Sequence, residues 1–206
     1  MIFGRECFYN DLTEIKPRIL ISACLAGERV RYDGEDKSYP VITQFFSEHA
    51  EVTRICPEVS AGFGIPRPPV ALQQTSSGIR ALGVKNKQID ATLKLAGFSQ
   101  AFLQQTPFHA AILKSRSPSC GFGTTPVFQQ DREIGIGNGI FADALHQRWP
   151  ACLITDENQL NTVDACQTFL FHCYVALDKT ITPMSEMVFL HAHYQQDGYY
   201  KADTDK

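Results

Sequence analysis

Arg18-Ile19-Leu20-Ile21-Ser22-Ala23-Cys24 is the stretch that decides the fold. Ile19, Leu20 and Ile21 form a short continuous apolar run, the signature of a strand buried on both faces. The run ends in a cysteine. Two more runs end in the same way. Val52-Thr53-Arg54-Ile55 leads into Cys56-Pro57, and Ala110-Ala111-Ile112-Leu113-Lys114 leads into Ser119-Cys120-Gly121. If the three runs are neighbouring parallel strands, the cysteines gather at one sheet edge. That carboxyl edge is where open α/β sheets place their ligands.

Helical stretches separate the strands. Val41, Ile42, Phe45, Phe46 and His49 fall at helical spacing and predict an amphipathic helix over 40–50. Further helices are predicted over 90–105, over 138–149 with Gly139 inside the first turn, and over 156–178. A fourth strand covers 151–154, with Cys152 inside it. Residues 70–74 and 80–85 read as a hairpin. Glycines 62 and 64 and prolines 57, 66, 68 and 69 predict an irregular loop from Pro57 to Pro69. Strands alternating with helices predict an α/β fold, a single three-layer Rossmann-like domain with a mainly parallel sheet. The domain spans 17–157. It follows a lead-in over 1–16 and precedes a closing helix and C-terminal extension over 158–206.

Composition narrows the function. The chain has 206 residues and a formal net charge of −3, which gives no drive toward bulk DNA binding. No apolar run approaches the ~20 residues that span a bilayer. No apolar segment follows a basic start as in a signal peptide. A cytoplasmic, reducing location is therefore expected, with no membrane partner. Seven cysteines then serve either core filling or chemistry. Cys152, Cys166 and Cys173 sit at strand or helix positions that predict core packing. Cys7 has no evident partner.

Cys24, Cys56 and Cys120 stand apart because each lies at a strand-to-loop junction. Their separations, 31 and 63 intervening residues, match no compact zinc finger and no ferredoxin run. Three converging thiolates could still hold a soft metal centre with one position open. Glu58, one proline beyond Cys56, is placed to act as a general acid or base. The loop Arg29–Gly34 could recognise a small polar ligand. Cys120 could instead be a nucleophile paired with His109 or His146, and Gly121-Phe122-Gly123 could be a fragment of a phosphate loop. His191 and His193 alternate as in a strand.

Five motifs occur in order: Ser22-Ala23-Cys24-Leu25-x-Gly27, Val30-Arg31-Tyr32-Asp33-Gly34, Cys56-Pro57-Glu58, Pro66-Arg67-Pro68-Pro69, and Lys114-Ser115-Arg116-Ser117-Pro118-Ser119-Cys120-Gly121. Together, from about Pro17 to Glu157, they resemble the thiouracil desulfidase (TudS) family. The resemblance implies a 4Fe–4S cluster on Cys24, Cys56 and Cys120. It implies assistance from Glu58 and Ser117, and substrate contacts from Ser22, Asp33 and Arg67. The implied activity is non-redox removal of sulfur from 2-thiouracil or a related thiolated base or nucleoside. Two other readings use the same residues. One is a zinc- or cluster-binding sensor without desulfidase activity. The other is a metal-free small-molecule binder.

Overall fold

The structure is a computed structural model that describes residues 16–104 and 107–177. The predicted buried run is strand β1 (Arg18–Ser22). It lies inside a four-stranded sheet, between β2 (Glu51–Ile55) and β5 (Ala110–Leu113), with β8 (Leu153–Asp156) beyond β5. All three pairings are parallel. Side chains of β1 alternate between two cores. Ile19 and Ile21 face one side and Leu20 the other, and all three are buried. Full burial of one such side chain contributes about 1.5–3 kcal/mol, so a one-residue slip of β1 would be heavily disfavoured.

Helices cover both faces, giving the three-layer α/β architecture. On the Ile19–Ile21 face pack α1 (Pro40–His49) and α5 (Val163–Leu177). Helix α1 starts with Pro40, whose missing N–H costs nothing in a first turn. It buries Ile42, Phe45 and Phe46, the i, i+3, i+4 stripe read from the sequence. On the Leu20 face lie α3 (Thr92–Phe102) and α4 (Ile140–Arg148), whose Phe98, Phe102, Phe141 and Leu145 meet Leu20, Ala111 and Leu113.

A second sheet adds to this frame. Strands β3 (Val70–Thr75) and β4 (Gly78–Gly83) form the predicted hairpin. Strands β6 (Thr125–Gln129) and β7 (Arg132–Gly137) form another, and the sheet order is β4-β3-β6-β7. Leu72, Ala81 and Val127 of this sheet pack with Leu95 of α3. The second hairpin was not expected. Its turn holds Gln130 and Asp131 at φ 49° and 64°, where hairpins ordinarily carry Asn-Gly or Asp-Gly.

Several expected boundaries shift. The 57–69 stretch is not wholly irregular, because Pro57–Ser60 forms a helical turn, α2. Proline is accepted in a first turn, so Pro57 starts structure there. Gly139 caps α4 from outside instead of lying in its first turn. Cys152 precedes β8, and Asp156 ends that strand, so the closing helix begins only at Val163. Cys152, Cys166 and Cys173 are buried, as core packing requires. Cys7, His191 and His193 lie outside the described residues.

Gly139 is where α4 meets the Cys120 loop. A Cβ there would stand 2.5 Å from the Ser119 carbonyl carbon and 2.8 Å from the Cys120 nitrogen. Gly97, on the exposed face of α3, has nothing within 4 Å. Gly139→Ala should therefore destabilise by about 1–3 kcal/mol through overpacking. Gly97→Ala should instead stabilise by about 0.5–1 kcal/mol through helix propensity. Denaturant midpoints of the two variants check the pair, and equal shifts would show that no close approach exists at Gly139.

Candidate active site

The parallel register brings three chain exits to one edge. Cys24 lies in the turn directly after β1, where the Ala23 amide still donates to the Ile55 carbonyl at 2.8 Å. Cys56 follows β2 and is the N-cap residue of α2. Cys120 lies farther along, in the loop that leaves β5, so that loop must be folded back. Several bonds do this. Ser117 Oγ accepts the amides of Ser119 (3.3 Å) and Cys120 (3.1 Å). Thr125 Oγ1 donates to the Ser117 carbonyl at 2.8 Å. The first amides of α4 need acceptors, since helix N-termini leave theirs unpaired. Ile140 donates to Pro118, and Phe141 to Ser119.

A carboxylate that the sequence reading did not single out anchors the start of the same loop. Glu157 follows β8, with only 2% of its side chain exposed. It accepts the Ser115 amide (2.8 Å), the Ser115 hydroxyl (2.6 Å) and the Lys114 ammonium. Burial alone would raise its pKa, but the bonds from Lys114 and Ser115 outweigh that and hold it below the ordinary carboxylate value.

The three cysteines line one cavity of about 490 Å³. Cys24 and Cys56 are partly exposed and Cys120 is buried. Burial raises all three thiol pKa values, that of Cys24 to about 11. Each also senses charge nearby. Cys56 raises Cys24 further, and both raise Cys120. Cys56 is pulled partly back by the Val59 amide and the Arg67 charge. Cys152 and Cys166, by contrast, are shifted by burial alone. Neither they nor Cys173 line the cavity.

Among the described residues, no three His, Cys, Asp or Glu side chains crowd closely enough to hold a single metal ion. Ligands of one zinc ion must all reach it at about 2.0–2.3 Å. A multi-iron cluster spreads its thiolates over different irons. Three thiols around one cavity, with Cys24 and Cys120 sensing a neighbouring thiol and no three donors crowding one point, fit that donor pattern.

Glu58 and its partners form the wall beside Cys56. Its Oε2 accepts Arg67 Nε at 2.6 Å, and its Oε1 accepts the Ser119 hydroxyl at 2.8 Å. Ser119 is thus the serine on the carboxylate, a role that sequence reasoning did not give it. Ser117 lines the cavity but spends its oxygen on two amides. Ser22 Oγ accepts the Lys114 amide at 3.0 Å, and its hydroxyl opposes the upward push of burial on the Cys120 thiol.

Asp33 is not among the cavity-lining residues. Its carboxylate pairs with Arg31 at 3.0 Å, and it is Arg31 that reaches the cavity. Neither histidine considered as a partner for Cys120 is in the lining. His109 precedes β5, at the sheet's other edge, where its Nδ1 accepts the Arg18 amide at 2.9 Å. His146 packs against Phe122, with centroids 5.1 Å apart.

The fold and this cysteine-lined cavity are those of an α/β protein with its site at the carboxyl edge of a parallel sheet. A family model described as 2-thiouracil desulfurase matches residues 19–157, about two-thirds of the chain, and the chain belongs to that family. The uncharacterised protein YbbK of Bacillus subtilis (strain 168) is 28% identical over 152 residues, covering 70% of this chain and 99% of its own. A solved structure of a 4Fe–4S-dependent thiouracil desulfidase, TudS, is similar at 26% identity. Its TM-score is 0.56, and the match covers 75% of this chain and 99% of that one.

Removing one partner of a buried ion pair is costly, so Glu157→Gln should destabilise by about 3 kcal/mol at neutral pH. A depressed folded pKa means this stability is present above the unfolded value, near 4.5, and is lost as pH falls through the folded value. The gap between wild type and variant should therefore narrow below about pH 4.5. Denaturant midpoints across pH check this, and a gap constant with pH would remove the charge from the account.

Proposed function

We propose that this chain is a desulfidase that removes sulfur from thiolated pyrimidines such as 2-thiouracil, giving uracil and hydrogen sulfide. The observation that carries this reading is the meeting of Cys24, Cys56 and Cys120 on one cavity with Glu58 in its wall. Family membership and the similarity to TudS support it. Cys24, Cys56 and Cys120 would hold a 4Fe–4S cluster. When bound, that cluster would supply an open, sulfur-seeking iron acting as a Lewis acid toward the thiocarbonyl.

The chain's own residues would do the rest. The cavity wall orients a flat ring against the cysteine face. Glu58, already accepting two hydrogen bonds, takes a proton from water as that water attacks the carbon bearing sulfur. A carbon–oxygen bond forms, the carbon–sulfur bond breaks, and both protons of the water leave with the sulfur as hydrogen sulfide, one of them by way of Glu58. No net electron transfer is needed. The Ser119 hydroxyl fixes one carboxylate oxygen, and Ser117 shapes the loop that presents Cys120. No described helix is long and apolar enough to cross a membrane.

The deciding experiment is anaerobic reconstitution followed by iron and acid-labile sulfide analysis. The loaded protein is then incubated with 2-thiouracil, 4-thiouracil and a thiolated nucleoside. Release of sulfide and desulfurated base is expected, and cluster-loaded protein inert to all three would overturn the reading. Cys24→Ala, Cys56→Ala and Cys120→Ala should each lose cluster and turnover, whereas Cys166→Ala should keep both. Glu58→Gln should retain iron while kcat falls about a hundredfold or more. Unchanged turnover would exclude Glu58 as the base.

A further inference from the structure

Arg67 was expected at the substrate. It lines the cavity, and its hydrogen bonds run to the protein around it. The side chain is only 7% exposed, and its guanidinium is committed to protein acceptors. Nε donates to Glu58 Oε2 at 2.6 Å. Nη1 donates to the Val30 carbonyl at 2.9 Å and to the Gly64 carbonyl at 3.3 Å. Nη2 lies 3.9 Å from Cys56 Sγ, within reach of a donor to sulfur. The Arg67 amide also donates to the Tyr32 carbonyl at 2.8 Å. One planar fork therefore joins the loop after β1, the α2 turn and the loop before β3.

We propose that Arg67 is a positioning residue that couples the Glu58 carboxylate to the Cys56 sulfur and does not recognise substrate. The inference rests on the desulfidase reading given above. A guanidinium has five N–H donors in a fixed plane, so aiming Nε at Glu58 also fixes where Nη2 points. The carboxylate is thereby held at a set distance from the ligating sulfur. The fork also brings positive charge and a donor to that sulfur, and hydrogen bonds to ligating sulfurs are among the factors that set a cluster's potential. Lysine carries the charge but cannot hold four acceptors in one plane. Misplacing a general base by about 1 Å can cost on the order of a hundredfold in rate.

The test uses reconstituted Arg67→Lys, Arg67→Gln, Glu58→Gln and the Glu58→Gln/Arg67→Lys double variant. Arg67→Lys should lower kcat about tenfold to a hundredfold with KM changed little. In the Glu58→Gln background the same change should cost under about threefold, because residues in one network are not additive. The cluster of Arg67→Gln, followed by reductive titration and electron paramagnetic resonance, should show a more negative midpoint potential than the parent. A raised KM with unchanged kcat would make Arg67 a substrate-binding residue and overturn the proposal. So would fully additive losses or an unmoved potential. The potential is read without substrate, so a chain that holds the cluster but releases no sulfide would sink the desulfidase reading and leave the Arg67–Cys56 coupling to be judged alone. Iron content and thermal unfolding of Arg67→Lys show whether the site remains assembled.

Discussion

The in-register parallel pairing of β2, β1 and β5 is the constraint on which the site depends. Ser22 stands opposite Ile55, and Ile21 stands opposite both Arg54 and Ile112. Parallel strands all leave a sheet by the same edge. Residues far apart in the chain are therefore delivered to one place without contacting each other along the way. Register is held in turn by the alternation of β1, whose Ile19 and Ile21 fill one core while Leu20 fills the other. The hydrophobic cores thus position the chemistry by fixing which way each strand points.

Pairing alone brings only Cys24 and Cys56 to the edge. Cys120 depends on a loop, and loops are held by polar bonds more than by burial. Here the bonds come from elements that are themselves rigid. Glu157, at the end of β8, takes Lys114 and Ser115. The first amides of α4 take the carbonyls of Pro118 and Ser119. The close approach at Gly139 permits the second contact. The loop is clamped between the ends of a strand and a helix, which fixes where the Cys120 thiol stands in the cavity.

Most of the sheet frame was legible in the sequence because buried parallel strands and amphipathic helices have distinct periods. Ile19–Ile21, Ala110–Leu113 and the Ile42–Phe46 stripe all carried their structure locally. The β6–β7 hairpin did not, because Gln130 and Asp131 occupy left-handed positions without the glycine that marks such turns. The candidate site was legible to the extent that its residues sit at strand exits. Glu157 and Ser119 were harder to see. A buried carboxylate and a hydroxyl gain meaning only from partners distant in sequence, and neither Lys114–Glu157 nor Ser119–Glu58 has a spacing that announces contact.

Net charge was also silent about the site, for a physical reason. A chain at −3 overall places Arg31, Arg67, Lys114 and Arg116 around one cavity. Three of these cations have their own carboxylates, in Asp33, Glu58 and Glu157. Such pairs add almost nothing to net charge, yet each fixes where a positive group points. Burial pushes the thiols between them toward their neutral form, and neighbouring thiols push Cys24 and Cys120 further. A bound cationic centre would reverse that preference and would release the thiol protons as it bound. The paired cations around the cavity are already held in place by their own carboxylates.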